Sequence, residues 1–443
     1  MVHCVAGVPD TLGSQFQHAD ELGSAKSMPS VADVLEGYVG SREIAGAVTV
    51  VVTDDGVADQ VATAGFADIE AERPMAPDTL FRIASMTKPI TGAAILMLQD
   101  EGKLHVSDLV SKHIPAFAEL KTPSGQPANL TIAQMMTHTS GLGEGPNNAP
   151  SELPGVTTLA HLVPHWLDSP MKYSPGSKWQ YTQSGINCAG RIIEILTGQD
   201  FDEFLEQRLF GPLGMSDTTF YPTAEQQSRL ASTYSVATPG ELNLEQRDMP
   251  TKAEKPPLGN GGLFSTARDY AAFLKMLLRG GAAPDGHQLL SAEAMSYLTS
   301  PQTPTDMPCG FFQDEQFGGF GANYGWGIGT CIMKTPHAGV GAMLGPGTYG
   351  HGGAWGTTAF VDPERGAAYL LMIQRTGYNN GDASEVRRDF QQAAVDALDS
   401  GVISGPVRHP HNDLVHQSYG GKQRHQLTFK IAFQPRCFAQ QDI

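Results

Sequence analysis

Phe81-Arg82-Ile83-Ala84-Ser85-Met86-Thr87-Lys88-Pro89-Ile90-Thr91-Gly92-Ala93-Ala94-Ile95-Leu96-Met97-Leu98 reads as a buried helix with a reactive start. From Ile90 to Leu98 nearly every position is apolar, the pattern of a helix wrapped on all sides. Gly102 stops it. Pro89 fits only a first turn, where no N–H is required, so the helix begins close to Ser85. Residues three apart share a helical face, which sets the Lys88 amine beside the Ser85 hydroxyl. An amine at the end of an apolar rod is poorly solvated. Its neutral form is favoured, and a neutral amine can take the hydroxyl proton and make a nucleophile. The first amides of a helix lack intrahelical partners, so that of Ser85 is available to a developing oxyanion. The plain alternative is a helix cap followed by a solvated lysine, and two later segments weigh against it.

Upstream of the helix, Ala45-Gly46-Ala47-Val48-Thr49-Val50-Val51-Val52 is a strand, Asp55-Gly56 a hairpin turn and 61–66 a returning strand, preceded by a short helix at 31–38. Downstream the text is helical and loop-rich, with helices at 186–196 and 201–209 and a further one capped by Ser265 that runs through Tyr270, Phe273 and Leu277. Strand signals return at 324–333, 357–361 and 367–373, the last two joined by Asp362-Pro363-Glu364-Arg365-Gly366, and helical spacing follows over 384–398. Strands at both ends with helices between predict an α+β chain: one antiparallel sheet built from the two termini, carrying a helical insertion, with a cleft between them. The expected division is an irregular extension at 1–30, a sheet domain from 31–110 and 300–401, a helical domain at 111–299, and a tail at 402–443 outside the fold. The tail holds His409, His411, His416 and His425, a pattern read as a loose appendage rather than a metal site.

Composition narrows the function classes. A chain of 443 residues, 40% hydrophobic, can bury a large core. Its 29 Lys plus Arg against 46 Asp plus Glu give a net charge of -17, which argues against nucleic acid or an anionic membrane as partner. No run is long and apolar enough to span a bilayer and no secretory leader is visible, so a cytoplasmic protein is expected. Cys4, Cys188, Cys309, Cys331 and Cys437 form no close pairs, so neither a disulfide framework nor a zinc spacing is expected. His161 and His165 have helical metal spacing, but Pro164 intervenes and no Glu follows His161; no metal and no other cofactor is expected. The Gly-x-Ser-x-Gly elbow of α/β-hydrolases is missing as well.

Two segments complete the constellation. Pro175-Gly176-Ser177-Lys178-Trp179-Gln180-Tyr181-Thr182-Gln183-Ser184-Gly185 puts Tyr181 on a loop before a helix, where a phenol near Lys88 can act as base toward Ser85 and acid toward a leaving group. Gly347-Thr348-Tyr349-Gly350-His351-Gly352-Gly353-Ala354-Trp355-Gly356 reads as an edge strand whose glycines let a ligand approach the backbone. There the Ala354 amide is a candidate second oxyanion donor and His351 a candidate substrate contact. Trp179, Trp355 and Tyr349 are candidates for an aromatic wall.

Together these motifs resemble the serine β-lactamase and penicillin-binding-protein superfamily over roughly residues 31–398, most closely its class C β-lactamases and family VIII carboxylesterases. Ser85-Met86-Thr87-Lys88 is similar to the nucleophile motif, Tyr181-Thr182-Gln183 to Tyr-x-Asn, and His351-Gly352-Gly353 to Lys-Thr-Gly. Met136-Thr137-His138-Thr139-Ser140-Gly141-Leu142 and Gly261-Gly262-Leu263-Phe264-Ser265-Thr266 look like scaffold signatures. The resemblance implies a β-lactamase-like fold with a five-stranded antiparallel sheet flanked by helices. It implies Ser85, Lys88 and Tyr181 as catalytic residues, the amides of Ser85 and Ala354 as oxyanion donors, and Gln183, His351, Gly352, Gly353 and Trp355 as substrate-binding residues. His351 where lysine is usual and Gln183 where asparagine is usual resemble the esterase branch, so the expected activity is hydrolysis of small esters, with weak β-lactam hydrolysis at most. Glu144 and Asn148 fit a deacylating Glu-x-x-x-Asn spacing but precede Tyr181, the wrong chain order. A β-lactamase, a D-amino-acid peptidase, an acyltransferase and a non-catalytic binding protein on the same fold are the alternatives.

Overall fold

The computed structural model describes residues 29–53, 59–143, 154–245, 249–309, 320–337, 341–377 and 384–402. The Asp55-Gly56 turn, the Glu144 to Asn148 spacing, most of the 1–30 extension and the histidine-bearing tail lie outside the described residues.

The strands are β1 (Gly46–Thr53), β2 (Gln60–Asp68), β3 (Arg73–Pro74), β4 (Leu80–Arg82), β5 (Thr233–Thr238), β6 (Glu241–Glu245), β7 (Phe264–Thr266), β8 (Tyr324–Trp326), β9 (Cys331–Met333), β10 (Tyr349–Gly352), β11 (Thr358–Asp362) and β12 (Ala367–Met372). The main sheet is antiparallel, in the order β3-β2-β1-β12-β11-β10-β9-β8. Strands from the two ends of the chain meet at its centre, where Val50 opposes Leu370. The resemblance implies five strands and the sheet has eight, with β2, β1, β12, β11 and β10 in its middle. Two-residue β3 and the short β8–β9 hairpin extend it.

Strand periodicity divides the buried side chains of β1 and β12 between two cores. Val48, Val50, Val52, Ala368, Leu370 and Met372 join the cluster that contains Ile90, Ala93 and Ala94. Ala47, Val51, Ala367, Tyr369 and Leu371 face the other way, onto Leu35 of the Val31–Gly40 helix and Val386, Phe390 and Ala394 of the Glu385–Asp399 helix. Both faces are covered, which is why β1 is buried along its whole length instead of alternating.

The central helix spans Thr87–Asp100, entered through a 3-10 turn at Ala84–Met86, and residues 87–98 are all buried. Gly102 ends it in the left-handed region at φ 69°. Gly92 allows the closest contact on this helix: a Cβ there would sit 2.1 Å from the Ile328 carbonyl oxygen.

Three expectations are corrected. The strand signal at 324–333 is two strands, because Gly327 and Gly329 turn the chain between them, Gly329 with φ 84°. The helix at Ala267–Leu278 is capped by Thr266, whose hydroxyl accepts from the Asp269 amide; the Ser265 hydroxyl instead pairs with Thr218. And β10 is interior, not an edge, since β9 pairs with Tyr349 and Gly350. That pairing stops there, so on the β9 side His351 and Gly352 have no strand partner among the described residues.

Candidate active site

Ser85 stands just past a strained residue. Ala84 has φ 45°, a left-handed conformation that a side chain with Cβ seldom adopts, and persists only when its surroundings over-determine it. Those surroundings are visible. The Ile83 amide donates to the Leu263 carbonyl (3.1 Å), the Gln374 side-chain amide donates to the Arg82 carbonyl (3.0 Å), and the buried Tyr270 hydroxyl donates to the Met86 carbonyl (2.9 Å). β4 pairs with β7 and fixes the approach. From the other side Gly353 packs so closely that a Cβ would lie 2.6 Å from the Ile83 carbonyl oxygen and 2.1 Å from Thr357 Oγ1.

The three catalytic candidates converge on one oxygen. Lys88 Nζ lies 3.1 Å from Ser85 Oγ, and Tyr181 OH lies 2.9 Å from the same atom. Lys88 is fully buried, and its amine also donates to Gln183 Oε1 (2.9 Å) and the Asn260 carbonyl (2.7 Å). Three acceptors match the three protons of an ammonium, so its burial is offset by hydrogen bonds. The same amine sits 4.6 Å from the centre of the Tyr181 ring.

Tyr181 is held by an aromatic packet. Its ring lies 4.5 Å from that of His138, 6.0 Å from Trp326 and 5.9 Å from His351. His138 is fully buried, its Nδ1 accepts from the Thr182 amide (3.3 Å), and burial together with the positive charge of Lys88 pushes its pKa well below the ordinary histidine value. A signature read as scaffold thus contacts the phenol directly. Trp179 belongs to this packet, 5.5 Å from Trp326, whereas Tyr349 is part of the hydrophobic core and forms no site wall. Trp355 is half-buried beside the site.

His351 is buried, with Nδ1 at 2.6 Å from the Gly352 carbonyl and Nε2 at 3.4 Å from Tyr181 OH. A carbonyl partner requires the proton on Nδ1, which leaves Nε2 as an acceptor toward the phenol. Burial and the nearby Lys88 charge push its pKa down to about 3, so the ring is neutral. Gln183 has its carbonyl oxygen engaged by Lys88 and by Asn260 Nδ2 (2.8 Å), not turned toward a substrate. Gly352 and Gly353 carry the chain from β10 past Ile83, and Ala354 is exposed in the turn that follows.

Asn260 is a residue of this cluster that sequence reasoning missed. Its carbonyl accepts from Lys88, its side chain donates to Gln183 and its amide donates to Asn187 Oδ1 (3.0 Å). The one signal was its place immediately before Gly261-Gly262. Among the described residues no group of His, Cys, Asp or Glu is placed to hold a metal ion, and no helix is long and apolar enough to cross a membrane.

The Beta-lactamase family profile matches residues 31–394. Esterase EstB of Burkholderia gladioli is 30% identical over 389 residues, covering 82% of this chain and 94% of its own. Among solved structures, EstCE1, a hydrolase with promiscuous acyltransferase activity, superposes with a TM-score of 0.69 at 21% identity, covering 82% of this chain and 97% of its own. The D-amino acid amidase of Ochrobactrum anthropi SV3 does so with a TM-score of 0.61 at 22% identity, covering 83% and 98%. With a serine, a lysine and a tyrosine joined at one oxygen on the shared fold, this chain is a hydrolase and belongs to the Beta-lactamase family.

Proposed function

We propose that the protein is a carboxylesterase of the family VIII type, hydrolysing small esters through an acyl-enzyme on Ser85. The observation that carries this reading is the meeting of Lys88 Nζ and Tyr181 OH at Ser85 Oγ. Ser85 Oγ attacks the ester carbonyl while its proton passes to the Lys88–Tyr181 pair. The amides of Ser85 and Ala354 hold the oxyanion, and the packing of Gly353 on Ile83 supports their facing a common point. The ester C–O bond then breaks, and the alcohol leaves with the proton that the pair held. Water repeats the sequence: it loses a proton to the pair, attacks the acyl carbon, and frees the acid as Ser85 regains its proton. The two proton carriers act as one coupled unit.

Ester is favoured over lactam by two residues. His351 is neutral where a cation would hold the carboxylate of a β-lactam, and the Gln183 carbonyl is engaged with Lys88. Hydrolysis of a β-lactam or D-amino-acid amide, or transfer of the acyl group to another alcohol, would use the same acyl-enzyme.

Incubation with a fluorophosphonate followed by peptide mass spectrometry is expected to find the label on Ser85. Turnover of p-nitrophenyl butyrate is expected to exceed that of nitrocefin and to vanish in Ser85→Ala. Loss of one oxyanion donor typically lowers kcat by ~10²–10³. An unlabelled Ser85 would sink the enzymatic reading, and faster turnover of nitrocefin would replace ester by lactam.

A further inference from the structure

A cavity of about 700 Å³ to which the chemistry above gives no task reaches the residue before the nucleophile: Gly261 in its wall packs on the Ala84 backbone, where a Cβ would lie 3.5 Å from the Ala84 carbonyl carbon. Its wall includes Arg82, three residues before Ser85, and Trp355, the residue after Ala354; Gly261, next to Asn260, closes it on the site side. Phe220, Tyr221 and Phe264 give the wall aromatic surface and Thr157, Glu254 and Lys255 give it polar surface, so a ligand group entering it meets both kinds.

Two cations stand in that lining. The Arg82 guanidinium lies 4.9 Å over the Phe264 ring and donates to Met249 Sδ (3.3 Å). Lys255 is the second. Its backbone is pinned, with the amide donating to the Thr251 carbonyl (3.1 Å) and the carbonyl accepting from the Tyr221 hydroxyl (2.8 Å). Burial lowers the pKa of its amine, and the positive charge of Arg82 lowers it further. Among the described residues no carboxylate pairs with that amine. The acid on this wall, Glu254, is exposed and accepts from the Thr251 hydroxyl (2.7 Å). Like charges brought together in a poorly solvated recess are costly, and an anion between them removes that cost. His351, in the packet around Tyr181, is neutral and offers no cation there.

We propose that this cavity binds a carboxylate of the substrate at Lys255, with Arg82 adding to the field, so that the preferred esters carry a second, ionised carboxyl group on the acid or the alcohol. This rests on the acyl-enzyme reading of Ser85. Turnover of p-nitrophenyl hydrogen glutarate is compared with that of p-nitrophenyl pentanoate, and 4-acetoxybenzoate with phenyl acetate. The ratio of kcat/KM values is expected to favour the anionic ester in at least one pair by about tenfold, the scale of one charge-assisted contact. That ratio falls in Lys255→Met and recovers in Lys255→Arg. A second arm needs no turnover: calorimetric binding of 4-phenylbutyrate and 4-phenylbutanol to Ser85→Ala, with and without Lys255→Met. The acid is expected to bind more tightly, and only while Lys255 is present. Equal affinity for acid and alcohol, or a preference that survives Lys255→Met, overturns the proposal even where the esterase reading stands. Selective binding without ester turnover would keep the anion site and discard the esterase.

Discussion

His351 shows how a buried, neutral ring beside the site makes stability depend on pH. Its ring faces Tyr181, stands within the field of Lys88, and shares the aromatic packet with His138. In the unfolded chain it takes a proton near the ordinary pKa of about 6.5; in the folded protein it does so only near about 3. Between those values the unfolded state binds more protons, so stability rises with pH. The contribution of His351 is complete above the unfolded value, is lost progressively as pH falls toward the folded one, and changes no further below it. A group of this kind adds a slope of up to about 1.4 kcal/mol per pH unit. Urea unfolding measured at steps from pH 7 to 4 should therefore show a shallower decline for His351→Gln than for the wild type. Parallel curves would mean that the ring is not held neutral. His138 contributes with the same sign and remains in the variant. Ser85, Lys88 and Tyr181, which meet at one oxygen, were legible because their side chains are of reactive types in recognisable spacings. Asn260 was not, because what it offers Lys88 is a main-chain carbonyl, and any residue has one. His138 was legible as a signature but not as a neighbour of Tyr181, since that contact joins segments far apart in sequence.

At the scale of elements, the central helix was the easiest part of the chain to read and β10 the hardest. Helix burial follows from composition alone, whereas a strand is interior or edge according to what lies beside it. The β8–β9 hairpin that covers β10 consists of two three-residue strands, too short for an alternating pattern. The β5–β6 hairpin was missed although Gly240, with φ 84°, turns it, because beyond the buried Thr233 and Tyr234 its residues are half-buried or exposed and form no apolar face. Two helical glycines make the difference between propensity and packing measurable. In the Val31–Gly40 helix Gly37 has open space where a Cβ would go, so Gly37→Ala should stabilise by about 0.5–1 kcal/mol. Gly92→Ala gains the same propensity but drives a methyl into the Ile328 carbonyl, a backbone atom that cannot swing aside. Overpacking of that kind costs about 1–3 kcal/mol, so the net change should be destabilising. The helix then shifts near Lys88, and kcat should fall as well. Thermal or urea unfolding of both variants checks this, and a stabilised Gly92→Ala would show that the Ile328 loop yields freely.

At the scale of the molecule, the sequence suggests a sheet from the two termini and a separate helical insertion, and such an arrangement could unfold in two steps. The contacts argue for one. A single apolar cluster runs from Val48 and Leu370 on the sheet through Ile90 and Leu96 of the central helix to Ile186, Phe204 and Phe273 of the intervening segment. Backbone hydrogen bonds stitch the same parts together: Leu80 to the Arg229 carbonyl (3.0 Å), Ser232 to that of Ala67 (2.8 Å), Tyr234 to that of Gln374 (3.1 Å) and Thr376 to that of Tyr234 (2.8 Å). Opening either part would expose that cluster and leave these groups unpaired, so the two are expected to unfold together. The site shares this dependence, since Ser85 and Lys88 start the central helix while Tyr181 and Asn260 come from the intervening segment. Of the four tryptophans, Trp179 and Trp326 pack around Tyr181, so intrinsic fluorescence follows the site, whereas far-UV circular dichroism follows the helices. Urea curves from the two signals should coincide, and hydrolase activity should be lost in the same range. Two transitions at separate urea concentrations, with the fluorescence change confined to one, would mean that the parts hold their structure independently and meet only at Ser85.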